Sequence, residues 1–177
     1  MEFQFKDPKN FYLRDIFVFA SFTALSFVDI KELSNDQIVE VNGEKWIISK
    51  RHKTGVPFQV KLLDIPLQII ERYKAFQENN LVFPNLNYWS ICKRMGKMIK
   101  ECGITKKISF HCSRHGFATL ALSKGMPIES VSRILGHTNI ETTQIYAKIT
   151  VQKLDNDLTM LSDKLSKSFG NVKMAGI

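Results

Sequence analysis

The sequence predicts an α+β domain, mostly helical, with a small three-stranded antiparallel sheet. Two observations predict it. Apolar residues recur every three or four positions over most of the chain, the period of a helix face. Between Ile38 and Leu62 the period drops to two around an Asn-Gly pair, the strongest short-range hairpin signal. The length of 177 residues is that of one domain, long enough to bury a core. With 44% hydrophobic and 24% charged residues, the composition is that of a folded chain rather than a disordered one.

Asp7-Pro8 reads as a helix start, an acidic cap followed by proline in the first turn. Phe11, Leu13, Ile16, Phe17, Ala20 and Ala24 then predict a largely buried helix. A short helical turn over Asp29–Leu33 is expected to stop at Ser34-Asn35-Asp36. Ile38 to Val41, the Asn42-Gly43 turn and Trp46 to Ile48 form a hairpin, and Phe58 to Leu62 a third strand. Between the second and third strands lies a basic turn, Lys50 to Gly55. Pro66 opens a helix to about Asn79. Tyr88, Ile91, Cys92, Met95, Met98, Ile99 and Cys102 stripe an amphipathic helix that Gly103 ends. Helices follow over His111–Lys124 and Pro127–Leu135, the second closed by Gly136. Thr138 and Glu141 read as a capping box for the next. Val151, Leu154, Leu158, Leu161 and Leu165 lie on one face of a terminal helix, and the polar tail 166–177 is expected to be loose.

Charge narrows the partners. Lys and Arg number 25 against 17 Asp and Glu, a net charge of +8, which favours an anionic partner with nucleic acid first. The longest apolar stretch, Ile16 to Val28, is shorter than the roughly 20 residues of a membrane-crossing helix. The start, MEFQFKDPKN, reads as no signal peptide. Three cysteines, Cys92, Cys102 and Cys112, are odd in number and too few for a disulfide scaffold, which fits a reducing cytosol.

The chemistry concentrates in residues 109–149, SFHCSRHGFATLALSKGMPIESVSRILGHTNIETTQIYAKI. His111 and Arg114 form a His-x-x-Arg pair on one side of a helix. Leu135-Gly136-His137 follows, and Tyr146 stands nine residues after His137. A phosphodiester resists attack because its oxygens repel nucleophiles. Its cleavage needs cations on the non-bridging oxygens, an aligned nucleophile and an acid for the leaving oxygen. Arg114 offers a planar fork to such oxygens. A tyrosine, with its usual pKa near ~10, needs cationic neighbours to attack at neutral pH.

In motif order and spacing this segment resembles the catalytic signature of the tyrosine recombinase (phage integrase) family, and weaker resemblance extends over residues 11–149. The resemblance implies that Tyr146 is the nucleophile, supported by Arg114, His111 and His137. It also implies a 3′-phosphotyrosyl intermediate with a freed 5′-hydroxyl, and no metal or nucleotide cofactor. The family carries a lysine in the turn of its small sheet as general acid. Lys53, before Thr54-Gly55, matches it, with Lys50 the runner-up. Lys50, Arg51, Lys53 and Arg114 are the expected DNA contacts. The implied fold is a catalytic domain, residues 1–165, that half-encircles DNA, its last helix at about 151–165. An N-terminal core-binding domain, usual in the family, is not expected within this chain. The implied assembly is a tetramer on double-stranded DNA from subunits that are monomers in isolation. The implied location is the bacterial cytoplasm, at the nucleoid.

One position departs from the pattern. The segment Phe22-Thr23-Ala24-Leu25-Ser26-Phe27-Val28-Asp29 aligns with the family's first-arginine region, but Ser26 stands where the arginine belongs. Asp29 matches the acid that follows it. Losing one charge-assisted contact costs on the order of 2–4 kcal/mol of transition-state stabilisation. Arg51 is the first candidate to replace it and Arg14 the second. The serine also resembles integrases of mobile elements of the Bacteroides group. Three functions follow: a site-specific recombinase or integrase, a catalytically weak DNA-binding remnant, and a type IB topoisomerase-like enzyme. Blander readings stand beside them. Cys92 and Cys102 read as core, His115 as a packing residue, and residues 125–137 with the next helix as a helix-turn-helix. A zinc site at His111, His115 and the cysteines lacks the usual paired-cysteine spacing.

Overall fold

The computed structural model describes residues 5–147 and 151–169. Two units make up the chain, Met1–Tyr146 and Ala147–Ile177.

In the first unit, helix α1 (Lys9–Thr23) is the core's axis. Its Leu13, Ile16, Phe19 and Ala20 are buried, because apolar side chains three and four apart share one helix face. Asp7 accepts from the Lys9 amide at 2.9 Å, as the cap reading anticipated. The helix ends at Ala24, which adopts the left-handed conformation (φ 57) and bonds back to the Ala20 carbonyl. Helix α2 (Phe27–Lys31) starts earlier than expected because Ser26 and Asp29 form a capping box.

Strands β1 (Ile38–Val41), β2 (Glu44–Lys50) and β3 (Pro57–Lys61) form one antiparallel sheet in the order β1-β2-β3, as read from the alternation. Asn42 and Gly43 both take positive φ, the requirement of the tight turn that pairs Val41 with Glu44. Ile47 pairs with Val60, and both side chains reach the core.

Helix α3 (Asp64–Tyr73) is shorter than expected. A 3₁₀ turn over Lys74–Phe76 follows, and Asn79 and Asn80 are left-handed, so the helical path stops before Asn79. Helix α4 (Tyr88–Glu101) buries Ile91, Met95, Met98 and Ile99 against the core. Cys92 is exposed, not core, since one residue on from Ile91 is a rotation of about 100°. Helices α5 (Cys112–Ser123) and α6 (Ile128–Leu135) match expectation. Helix α7 (Glu141–Gln144) is not capped by Thr138. Asn139 accepts from the Glu141 amide at 2.9 Å instead.

The second unit holds helix α8 (Val151–Phe169). It runs past 165, so residues 166–169 of the expected loose tail are helical, while 170–177 lie outside the described residues. Leu154, Leu158, Leu161 and Leu165 are exposed on it. No described helix is long and apolar enough to cross a membrane.

Candidate active site

The site is built around the end of α6. Leu135 closes that helix, and Gly136 turns left-handed at φ 63 so that its amide and that of His137 bond back to Arg133 and Ser132. The last carbonyls remain at the negative end of the helix dipole, where cations are favoured. Two arginines from distant parts of the chain take them. Arg51 Nη2 donates to the Ile134 carbonyl at 2.5 Å, and Arg114 Nη2 donates to the Leu135 carbonyl. Arg114 also donates to the Ala24 carbonyl at 2.8 Å, so the left-handed end of α1 helps aim it.

Arg51 belongs to the basic turn, yet only 6% of its side chain is exposed. It leaves the β2–β3 turn, which the Arg51–Val56 and Gly55–Arg51 backbone bonds close, and runs inward. Its guanidinium lies 4.0 Å from the Phe58 ring centroid and donates to Asp29 Oδ2 at 2.7 Å. A Cβ at position 136 would come within 2.8 Å of Arg51 Cγ and 2.9 Å of Nε. Gly136 therefore serves twice, as the helix stop and as the opening through which Arg51 passes. Among the described residues, Arg51 Nε has no hydrogen-bond acceptor.

Ser26 does not extend toward an anion. Its hydroxyl donates to Asp29 Oδ2 at 2.8 Å, and its amide donates to the same oxygen at 3.1 Å. Asp29 also accepts from the His52 amide at 3.1 Å. Burial would raise the Asp29 pKa, but Arg51, the His52 amide and the Ser26 hydroxyl hold it below the ordinary 3.8. The serine thus fixes the carboxylate, and the carboxylate fixes Arg51. Arg14 is not drawn in: it pairs with Asp15 at 2.7 Å and lies over the Phe11 ring.

A cavity of about 510 Å³ is lined by Ser26, Phe27, Lys53, Tyr88, His111 and Arg114 among others. Arg51, His137 and Tyr146 are not in its lining. Lys50 lines a separate hollow of about 220 Å³ with Asp29, Glu32 and His52, apart from Lys53. His111 is held below the ordinary 6.5 by partial burial, His115, Arg114 and Lys53. His137 is lowered too, by burial and then by Arg114 and Arg51. Both shifts favour the neutral rings. His137 Nδ1 lies 2.8 Å from the Thr143 hydroxyl, which leaves Nε2 for a ligand.

Tyr146 follows α7 and bonds through its amide to the Thr143 carbonyl at 3.0 Å. Its phenol is raised above the ordinary 10.0 by burial, with Arg114 acting in the opposite direction. Burial and the neighbouring Arg51 push Arg114 down to about 10, still cationic at neutral pH. Sequence reasoning missed the capping role of Ser26, the dependence of Arg51 on Gly136, and Thr143 behind His137. Only the first had a legible signal, a Ser-x-x-Asp box. Among the described residues no cluster of three or more His, Cys, Asp or Glu could hold a metal ion.

Residues 1–153 match the phage integrase family. The tyrosine recombinase XerA of Thermococcus kodakarensis is 41% identical over 141 residues, which cover 71% of this chain and 48% of that protein. XerA of Pyrococcus horikoshii is 31% identical over 139 residues, covering 71% and 47%. XerD of Listeria monocytogenes is 36% identical over 120 residues, covering 63% and 39%. The chain spans about half the length of the curated XerA relatives it matches. Among solved structures, the Tn1549 transposon integrase in complex with circular intermediate DNA superposes with a TM-score of 0.71 at 17% identity, over 88% of this chain and 62% of that one. The XerH site-specific recombinase bound to its palindromic difH substrate gives 0.69 at 22% identity, over 89% and 48%. At these identities the likeness is one of fold.

Proposed function

The chain belongs to the phage integrase family, and from that premise we propose that it is a site-specific recombinase that cuts and rejoins double-stranded DNA through Tyr146. One observation supports the reading: two guanidiniums, Arg51 and Arg114, are bound on consecutive carbonyls at the end of α6, with Arg51 near the place that Ser26 leaves without an arginine. A pentacovalent phosphate gathers negative charge on its equatorial oxygens. Paired, desolvated cations fixed in advance stabilise that charge without reorganising.

The roles in this reading combine the family resemblance with the positions of the side chains. Arg114, which lines the cavity, takes a non-bridging oxygen, and Arg51, held behind it on Asp29 and the Ile134 carbonyl, adds its charge. His137, its Nδ1 engaged by Thr143, contributes Nε2. The Tyr146 oxygen attacks phosphorus and the P–O5′ bond breaks. The phenolic proton passes to a neutral imidazole, for which His111 is suited, and Lys53 protonates the departing 5′-oxygen. The bond to Tyr146 conserves the phosphodiester's energy for religation. Every charge is met by a side chain, so the scheme uses no cofactor. The reading extends to four subunits on DNA, each a monomer in isolation, acting at the bacterial nucleoid. It extends also to a mobile element as the gene's setting.

The test is covalent capture on a nicked duplex drawn from the DNA flanking the gene, run in chelator. The chain is expected to form a stable adduct, and Tyr146→Phe to form none while still binding the duplex. An undiminished adduct from Tyr146→Phe rules out the assignment. Supercoil relaxation without strand exchange points to the topoisomerase-like alternative, and binding without any adduct to the remnant.

A further inference from the structure

His115 is the one histidine of the His111–Arg114 turn that the scheme above leaves idle. It lies four residues after His111, on the same side of α5. Its ring meets the His111 ring at 4.4 Å between centroids and 89° between planes. It also meets the Tyr146 ring, at 5.2 Å and 61°. It is not among the residues that line the cavity holding His111, Lys53 and Arg114.

We propose that His115 is a positioning residue for Tyr146, an aromatic rest between His111 and the nucleophile that sets the phenol's line of approach to the phosphate. The proposal stands on the recombinase reading of the same site. Tyr146 needs such a rest. It sits beyond the four-residue helix α7, and the preceding Ile145 is 63% exposed. Its amide bond to Thr143 fixes the backbone but not the ring. The phenol is half-buried, so a ring beside it decides which way it points. Edge-to-face geometry suits this, because the positive edge of one ring rests on the negative face of the other and resists sliding. Attack on phosphorus demands alignment to within about an ångström, and a misdirected nucleophile loses rate without losing affinity. The same ring touches His111, so one side chain keeps the nucleophile and its proposed proton acceptor in register.

The test compares His115→Ala and His115→Phe with the unaltered chain on the nicked duplex. Phenylalanine keeps a flat ring at the position and removes the nitrogens, and alanine removes both. Adduct formation is expected to fall at least about tenfold in His115→Ala, with duplex binding and unfolding midpoint unchanged, and to return most of the way in His115→Phe. An independent reading comes from the free protein. The His115 ring-proton resonances are expected to shift when Tyr146→Leu removes the neighbouring ring. His115→Ala cleaving normally, His115→Phe no better than alanine, or resonances that ignore Tyr146→Leu each overturn the role of His115 alone. No adduct from the unaltered chain on any flanking duplex overturns the recombinase reading, and the role of His115 with it.

Discussion

Two guanidiniums held side by side repel each other, and burial makes the repulsion worse. Carbonyls of Ile134 and Leu135 and the Asp29 carboxylate offset it here. That arrangement makes Arg51 sensitive to its surroundings. Arg51→Ala is expected to lower the adduct rate at least about tenfold, ~1.4 kcal/mol, with a smaller effect on DNA affinity. Ser26→Arg in that background should restore part of the rate, and only part, because it also removes a helix cap worth about 1 kcal/mol. Gly136→Ala should resemble Arg51→Ala in the adduct assay, since its methyl would occupy space within 2.9 Å of Arg51 Nε. Normal cleavage by Gly136→Ala would contradict the account of Arg51. His111 and His137 add a pH dependence. Both titrate below 6.5 in the folded chain, so below 6.5 the unfolded chain binds protons first. Stability is therefore expected to fall as pH drops from 6.5 through their folded values. Denaturation at pH 7.5 and 5.5 measures it, and the loss should shrink in His137→Gln. The motif residues of this site were legible because their order and spacing resemble the signature of a known family, and only the His111–Arg114 pair, one helical turn apart, could be read from helix geometry. The inward path of Arg51 was not, because a basic residue in a turn is ordinarily solvated and only Gly136, far along the chain, admits it.

Helix α1 owes its position to apolar spacing, but it carries one buried carboxylate that the apolar pattern does not explain. Asp15 is 3% exposed and accepts from Arg14 at 2.8 Å, Arg72 at 2.6 Å and the Tyr73 hydroxyl at 2.8 Å, tying α1 to α3. Removing the carboxylate leaves these donors facing each other. Asp15→Ala is expected to lower stability by about 3 kcal/mol, read as a lower denaturant midpoint at unchanged slope. A loss within experimental error would show that solvent satisfies the three donors. The elements were legible where one face is buried: α1, the Asn42-Gly43 hairpin, α4 and α6 stand where periodicity put them. Boundaries set by local capping were less so. The left-handed Asn79 and Asn80 come after α3 has already stopped, and Asn139, not Thr138, starts α7. Such ends depend on single side-chain bonds that several polar neighbours can make equally well.

At the scale of the molecule, the parts of the site come from four separated stretches: the α1–α2 junction, the β2–β3 turn, the start of α5 and the α6–α7 segment. Only the packed core brings them together, which is why composition alone pointed to an anionic partner but not to a reaction. The proposed reaction requires a covalent bond between Tyr146 and DNA, and peptide mass spectrometry of the trapped adduct measures that bond directly. After proteolysis and nuclease digestion, the peptide from Ile134 to Lys148 should carry the nucleotide, as a 3′-phosphate ester on Tyr146. A nucleotide on any other residue, or one joined through its 5′-phosphate, would contradict the account.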